Sequence, residues 1–266
     1  MSTTSASERL LVEKRDDGLI IVTLNRPEAR NAVSFEMWRA FDDLLSELER
    51  ATPPRALIIT GAEGYFSNGG DMKVPPAGGD GALARAARLE WGQRTIGRLM
   101  RLPVPAIAAI EGGAFGIGWS LALGCDVIIA ANNVKFGAPF VDVGLTPDGG
   151  MAWFLTQRIG RHRAADIMFS ARTITAEEAH ALGLVSRLTA PGQTLADAIA
   201  FAGGLGKGNR HAVELTKRLL HGAESASVGE SMAQELAYCT VLQGGDELVR
   251  AREAFAAAKA KAKPTS

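Results

Sequence analysis

Two glycine-rich stretches carry the strongest chemical signal in this sequence. Each follows a short apolar run, and each offers backbone N–H groups with little side chain to screen them. The first runs from Ala56-Leu57-Ile58-Ile59-Thr60 into Phe66-Ser67-Asn68-Gly69-Gly70-Asp71. The second runs from Pro105-Ala106-Ile107-Ala108-Ala109-Ile110 into Glu111-Gly112-Gly113-Ala114-Phe115-Gly116-Ile117-Gly118. Glycine lets a chain turn sharply and approach a ligand closely. Two such loops meeting at one point would make an oxyanion hole, a pair of fixed donors aimed at developing negative charge. The second stretch also follows a strand and opens a helix, as a dinucleotide fingerprint does, but it lacks the G-x-G-x-x-G spacing.

The elements that must position these loops are legible around them. Leu10–Glu13, the Asp16-Asp17-Gly18 turn and Leu19–Leu24 read as a β-hairpin. Ser34 can cap a helix whose apolar residues Met37, Trp38, Phe41, Leu44, Leu45 and Leu48 recur at helical spacing. Strands are expected at 56–60, 105–110, 126–130, 134–136 and 185–188, with helices at 83–101 and 119–123 and helical sequence dominating from 149. Val74–Gly81 is a Pro/Gly cluster expected to form a mobile loop over a site. From 194 the chain reads as helices alone, ending in an Ala/Lys-rich stretch. Strands alternating with helices, then helices only, predict an α/β core over 1–193 and a helical C-terminal region over 194–266.

A chain of 266 residues, 47% of them hydrophobic, can bury a sizeable core. Lys+Arg and Asp+Glu both count 29, so the neutral chain has no electrostatic footprint for nucleic acid or an anionic membrane. No apolar run is long enough to span a bilayer, and the segment Met1–Glu8 lacks the pattern of a secretory signal. Cys125 and Cys239 lie far apart with no CxxC spacing, as expected of free thiols in a cytoplasmic enzyme. His162, His180, His211 and His221 fall outside the glycine stretches, and no cluster has metal-ligand spacing.

Several motifs in register resemble the crotonase (enoyl-CoA hydratase/isomerase) superfamily. They are Leu24-Asn25-Arg26-Pro27-Glu28-Ala29-Arg30-Asn31-Ala32, Phe66-Ser67-Asn68-Gly69-Gly70-Asp71-Met72-Lys73, Gly113–Asp126 and Gly144-Leu145-Thr146-Pro147-Asp148-Gly149-Gly150, followed by Ile174–Ala179 and Leu182–Val185. The resemblance implies a spiral of ββα repeats and a C-terminal helical region that builds a homotrimer or a dimer of trimers. It also implies an acyl-CoA thioester as substrate, with coenzyme A entering as part of that substrate and no separate cofactor. By the same resemblance the oxyanion donors are the amides of Gly70 and Ile117, although many relatives carry glycine at the second position. Removing one such donor costs about 2.7–4 kcal/mol of transition-state stabilisation. The adenine and phosphates would lie near Glu28-Ala29-Arg30 and Met72-Lys73, with Arg26, Arg30 and Lys73 as phosphate partners.

The acid–base groups separate this chain from the hydratases it resembles. Hydratases use two glutamates to hold and activate a water, and those positions fall on Ser120 and Phe140, neither of which is a carboxylate. Asp148 instead matches the aspartate of isomerase branches. One positioned base can take a proton from one carbon and return it to another, a shift that needs no bound water. Asp148 could also serve as the N-cap of a helix at 149–159, or do both. Asp142 is the second acid nearby. In the 4-chlorobenzoyl-CoA dehalogenase branch the matching aspartate is a nucleophile, but that branch uses a histidine before the second loop, and this chain has none before His162. Met72, Trp91, Trp119, Phe140, Met151 and Phe154 either line an apolar acyl pocket or pack in the core. Isomerisation of an unsaturated acyl-CoA is the leading expectation. The alternatives are a hydratase or lyase using an ordered water, and an acyl-CoA-binding protein without catalysis.

Overall fold

A computed structural model of the chain describes residues 3–4, 8–50, 52–73, 82–206 and 209–261. The Val74–Gly81 cluster lies outside the described residues. The chain divides into two compact units, Met1–Gly203 and Gly204–Ser266. The division comes after the 193 boundary expected from the sequence, because the helix that starts at Thr194 belongs almost wholly to the first unit.

The first unit opens with β1 (Thr3–Thr4), β2 (Leu10–Lys14), β3 (Leu19–Leu24), α1 (Phe35–Leu48), β4 (Ala56–Gly61), α2 (Ala82–Arg101) and β5 (Ala106–Ile110). It continues through β6 (Gly113–Phe115), α3 (Gly116–Leu123), β7 (Val127–Ala131), β8 (Lys135–Gly137), α4 (Met151–Ile159) and α5 (Arg161–Ser170). It ends with β9 (Thr173–Thr175), α6 (Ala176–Ala181), β10 (Arg187–Thr189) and α7 (Thr194–Gly204).

The larger sheet has the order β1-β2-β3-β4-β5-β7-β10. The β2–β3 hairpin is antiparallel, with its turn closed by Gly18 N–H donating to the Arg15 carbonyl at 3.0 Å. From β3 onward the strands pair in parallel, in a register that aligns Val22 with Ile59, Ile59 with Ala108 and Ala108 with Ile128. Parallel strands are covered on both faces, so β5 is buried at every position. A three-stranded sheet, β6-β8-β9, stands beside it.

Helix α1 forms as its spacing predicts. Ser34 caps it, its Oγ accepting from the Met37 amide at 3.3 Å, and Met37, Trp38, Phe41, Leu44, Leu45 and Leu48 are all buried. Each such side chain contributes about 1.5–3 kcal/mol when fully buried. The helix expected at 119 begins instead at Gly116, and the glycine stretch before it contains strand β6. Helical sequence after 149 is interrupted by β9, because Thr173-Ile174-Thr175 pairs with β8.

The second unit contains α8 (Arg210–Ala223), α9 (Val228–Gln243) and α10 (Asp246–Lys261), as the sequence predicts. Ser227 and Glu230 form a reciprocal capping box at the start of α9. Leu220, Val228, Met232, Leu236 and Phe255 are exposed on these helices.

Candidate active site

The two glycine stretches meet. Ser67 and Ala114 form a parallel bridge, in which Ser67 N–H donates to the Gly113 carbonyl at 3.1 Å and Phe115 N–H to the Ser67 carbonyl at 3.0 Å. Their approach is too close for a side chain at Gly118, where a Cβ would stand 2.5 Å from Ser67 Oγ. Gly70 and the Ile117 side chain are then in contact range, a Cβ at Gly70 lying 3.7 Å from Ile117 Cγ2.

Backbone pairing decides where the two amides point. Val33 bridges Gly70 in parallel, donating to the Gly69 carbonyl at 2.7 Å and accepting from Asp71 N–H at 3.1 Å. Peptide groups alternate along an extended strand, so the Gly70 N–H faces away from Val33. Ile117 is the second residue of α3, and the first four amides of a helix have no partner within it. Both residues line one cavity of about 240 Å³. Both amides therefore belong to residues of one cavity wall, and Ile117 stands at the N-terminal end of a helix.

The rest of that cavity is mostly apolar, lined by Val33, Trp38, Met72, Leu89, Phe140, Val143 and Leu145, with Asn68 as a polar exception. Asp148 is the one titratable side chain among the described residues that line it. The loop that carries Asp148 starts from the 3₁₀ turn Val141–Val143, with Leu145 N–H donating to the Phe140 carbonyl at 2.9 Å. It ends at Gly150, the N-cap of α4, which has no side-chain cap hydrogen bond. The N-cap position of that helix thus falls on Gly150, two residues past Asp148. The Asp148 carbonyl accepts from Met151 N–H at 3.1 Å, while the residue borders the cavity.

Several residues singled out from the sequence take other places. Trp119 is 1% exposed and packs against Phe136 at a ring separation of 5.5 Å, so it belongs to the core and not to the cavity wall. Trp91 is half-buried, edge-on to Phe35 at 5.9 Å, and does not line the cavity. Met151 and Phe154 are core residues. Ser120 is fully buried beneath the Asp148 loop and is not among the residues that line the cavity. Arg26 is buried against Asp71 at 2.8 Å, which removes it from the phosphate partners. Asp142 and His162 are exposed, and none of the four histidines lines the cavity.

Of Ala29, Arg30, Met72 and Lys73, Met72 alone is among the residues that line the cavity. Ala29 ends the 3₁₀ turn Pro27–Ala29, and Arg30 lies exposed with its guanidinium 5.7 Å from the Tyr65 ring centroid. Met72 is exposed and lines the cavity, while Lys73 is exposed and donates its amide to Asp71 Oδ1 at 3.0 Å. Burial pushes the Tyr65 phenol up, and the neighbouring Arg30 charge opposes that shift.

Trp38, Val33, Leu89, Val143 and Leu145 were not foreseen as site residues. Trp38 sits on the buried face of α1, where its spacing marks core and carries no mark of a ligand wall. Asn31 was also missed. Its side chain accepts from Arg26 N–H at 2.9 Å and donates to the Ala62 carbonyl at 3.0 Å, while its own carbonyl accepts from Ser67 Oγ at 2.9 Å. Asn31 has φ +55°, a left-handed conformation that asparagine tolerates. The signal was its place in the first motif, directly after Arg30.

The enoyl-CoA hydratase/isomerase family model matches residues 14–262, and the chain belongs to that family. It is 36% identical over 228 residues to a protein of Mycobacterium bovis named as the probable enoyl-CoA hydratase EchA8, covering 86% of this chain and 87% of that one. It is 34% identical over 234 residues to the enoyl-CoA hydratase EchA19 of Mycobacterium tuberculosis, covering 87% of each. Among solved structures, a probable enoyl-CoA hydratase/isomerase from Mycobacterium abscessus superposes with a TM-score of 0.85 at 36% identity, covering 95% of this chain and 96% of that one. The fold is therefore that of the crotonases, with a helical C-terminal region. An acyl-CoA enzyme of this family is what the motifs implied. No helix among the described residues is long and apolar enough to cross a membrane.

Proposed function

We propose that this protein moves a double bond within an unsaturated acyl-CoA, converting a 3-enoyl thioester to its 2-enoyl isomer. The Asp148 carboxylate removes a proton from C2. The electrons flow to the thioester oxygen, forming a dienolate held by the amides of Gly70 and Ile117. The protonated Asp148 then returns the same proton to C4, so the step balances with no co-reactant. The observation that carries this reading is that Asp148 alone, among described residues lining the cavity, can accept a proton, in the same wall as Gly70 and Ile117. With Ser120 buried and Phe140 apolar, two carboxylates are not available to hold a water.

The apolar wall of Trp38, Leu89, Phe140, Val143 and Leu145 favours a hydrocarbon or aromatic acyl group over a charged one. Exposed Val228, Met232, Leu236 and Phe255 support assembly into a homotrimer or a dimer of trimers. The free thiols of Cys125 and Cys239 accord with a reducing cytoplasm. The names of the relatives favour a second reading, hydration of 2-enoyl-CoA by an ordered water activated by Asp148.

Purified enzyme should be offered trans-3-hexenoyl-CoA and trans-2-hexenoyl-CoA in turn. Isomerisation of the first with little hydration of the second is expected, and Asp148→Asn should abolish it while leaving CoA-thioester binding nearly intact. Hydration without isomerisation would establish the second reading, and no turnover of any acyl-CoA would leave a binding protein.

A further inference from the structure

We infer that Ser120 is a positioning residue that sets the Asp148 carboxylate relative to the Ile117 amide; this inference rests on the isomerase reading. Ser120 is fully buried, and its hydroxyl donates to the Asp148 backbone carbonyl at 2.9 Å. The contact continues at the next residue. Gly149 has φ +60°, and a Cβ there would stand 2.8 Å from Ser120 Cβ, 3.0 Å from Ile117 Cγ1 and 3.0 Å from Ile96 Cδ1. The Asp148-Gly149 peptide is thus seated directly on α3, against two residues three apart on one helical face. One of those residues supplies the oxyanion donor, and the other bonds the backbone of the acid–base residue. Helix α3 therefore fixes the distance between the two halves of the reaction.

The test is a comparison of four enzymes on trans-3-hexenoyl-CoA: wild type, Ser120→Ala, Asp148→Glu and the double variant. Misplacing a catalytic group by about 1 Å can cost on the order of 100-fold. Ser120→Ala is therefore expected to lower kcat by roughly 10–100-fold, with KM little changed. In the Asp148→Glu background, where the carboxylate is already displaced, the same replacement should cost much less. A wild-type kcat for Ser120→Ala, or an equal factor in both backgrounds, overturns the positioning role. Ser120→Cys keeps a weaker donor and should fall between wild type and Ser120→Ala; if the alanine variant does not fold, an unchanged kcat for the cysteine variant overturns the inference alone. Full activity of Asp148→Asn would instead overturn the isomerase reading, and this inference with it.

Discussion

The guanidinium of Arg26 and the carboxylate of Asp71 meet at 2.8 Å with both side chains less than one-tenth exposed, one residue from the Gly70 amide. Arg26 also donates to the Ala32 carbonyl at 2.9 Å, and Asp71 Oδ1 accepts from Lys73 N–H at 3.0 Å. The pair joins the turn after β3 to the first glycine loop and holds that loop from behind. Removing one partner strands a buried charge, which costs about 3–5 kcal/mol, whereas replacing both by apolar groups is often nearly neutral. Arg26→Met should therefore lower the free energy of unfolding by that amount in urea titrations, and Arg26→Met with Asp71→Leu should recover most of it. A double variant as unstable as the single one would contradict this account.

Gly118 tests whether the two loops must touch. A methyl group there collides with Ser67 Oγ and Cβ, and overpacking of this kind costs about 1–3 kcal/mol. The strain falls beside the proposed donor at Ile117, so Gly118→Ala should also lose about tenfold in kcat, equivalent to about 1.4 kcal/mol on the barrier. Activity equal to wild type in a folded Gly118→Ala protein would show that the amides are set elsewhere.

Phe140 is 7% exposed, and it occupies one wall of the cavity beside Gly116. Phe140→Ala should enlarge the acyl site and admit water to the enolate. Chromatography of the products should then show 3-hydroxyacyl-CoA that the wild type does not make, together with a preference for bulkier acyl groups. An unchanged product mixture would separate Phe140 from water exclusion.

Glu111 fastens the second glycine stretch from its other side. Its Oε1 accepts from Gly192 N–H at 2.9 Å and from Thr194 Oγ at 2.8 Å. Hydrogen bonds to a charged group are worth about 1.5–3 kcal/mol, so Glu111→Ala should cost about 2–4 kcal/mol and Glu111→Gln less, because the amide oxygen still accepts. Equal losses in thermal unfolding would rule out the hydrogen bonds as the cause.

Much of this arrangement is legible in the sequence where the signal is local. The α1 stripe, the Ser34 cap and the hairpin at Asp16-Asp17-Gly18 each depend on residues a few positions apart, and each forms as expected. The meeting of the loops also follows from their glycine patterns. Asp148, Gly70, Ile117 and Phe140 all come to one cavity. Legibility ends where tertiary packing assigns a side to an apolar residue. Trp38 and Trp119 are both large, apolar and helical, yet one lines the cavity and the other stacks on Phe136. Arg26 has the same limit: its charge suggests a phosphate, and only the fold shows Asp71 beside it. The strand β6 was hidden because three residues of a glycine stretch carry no periodicity.

The bridge between Ser67 and Ala114 bears on how such a protein can change over generations. The proposed anion-stabilising half of the site is written in peptide bonds, and peptide bonds are the same whatever codon stands at 70 or 117. Short of proline, no single replacement at either position deletes a donor. In the proposed reaction, replacements at 120, 140 and 148 would instead alter proton handling or water access while the amide pair stays in place. Such replacements leave the proposed enolate itself in place, and what they change is its fate.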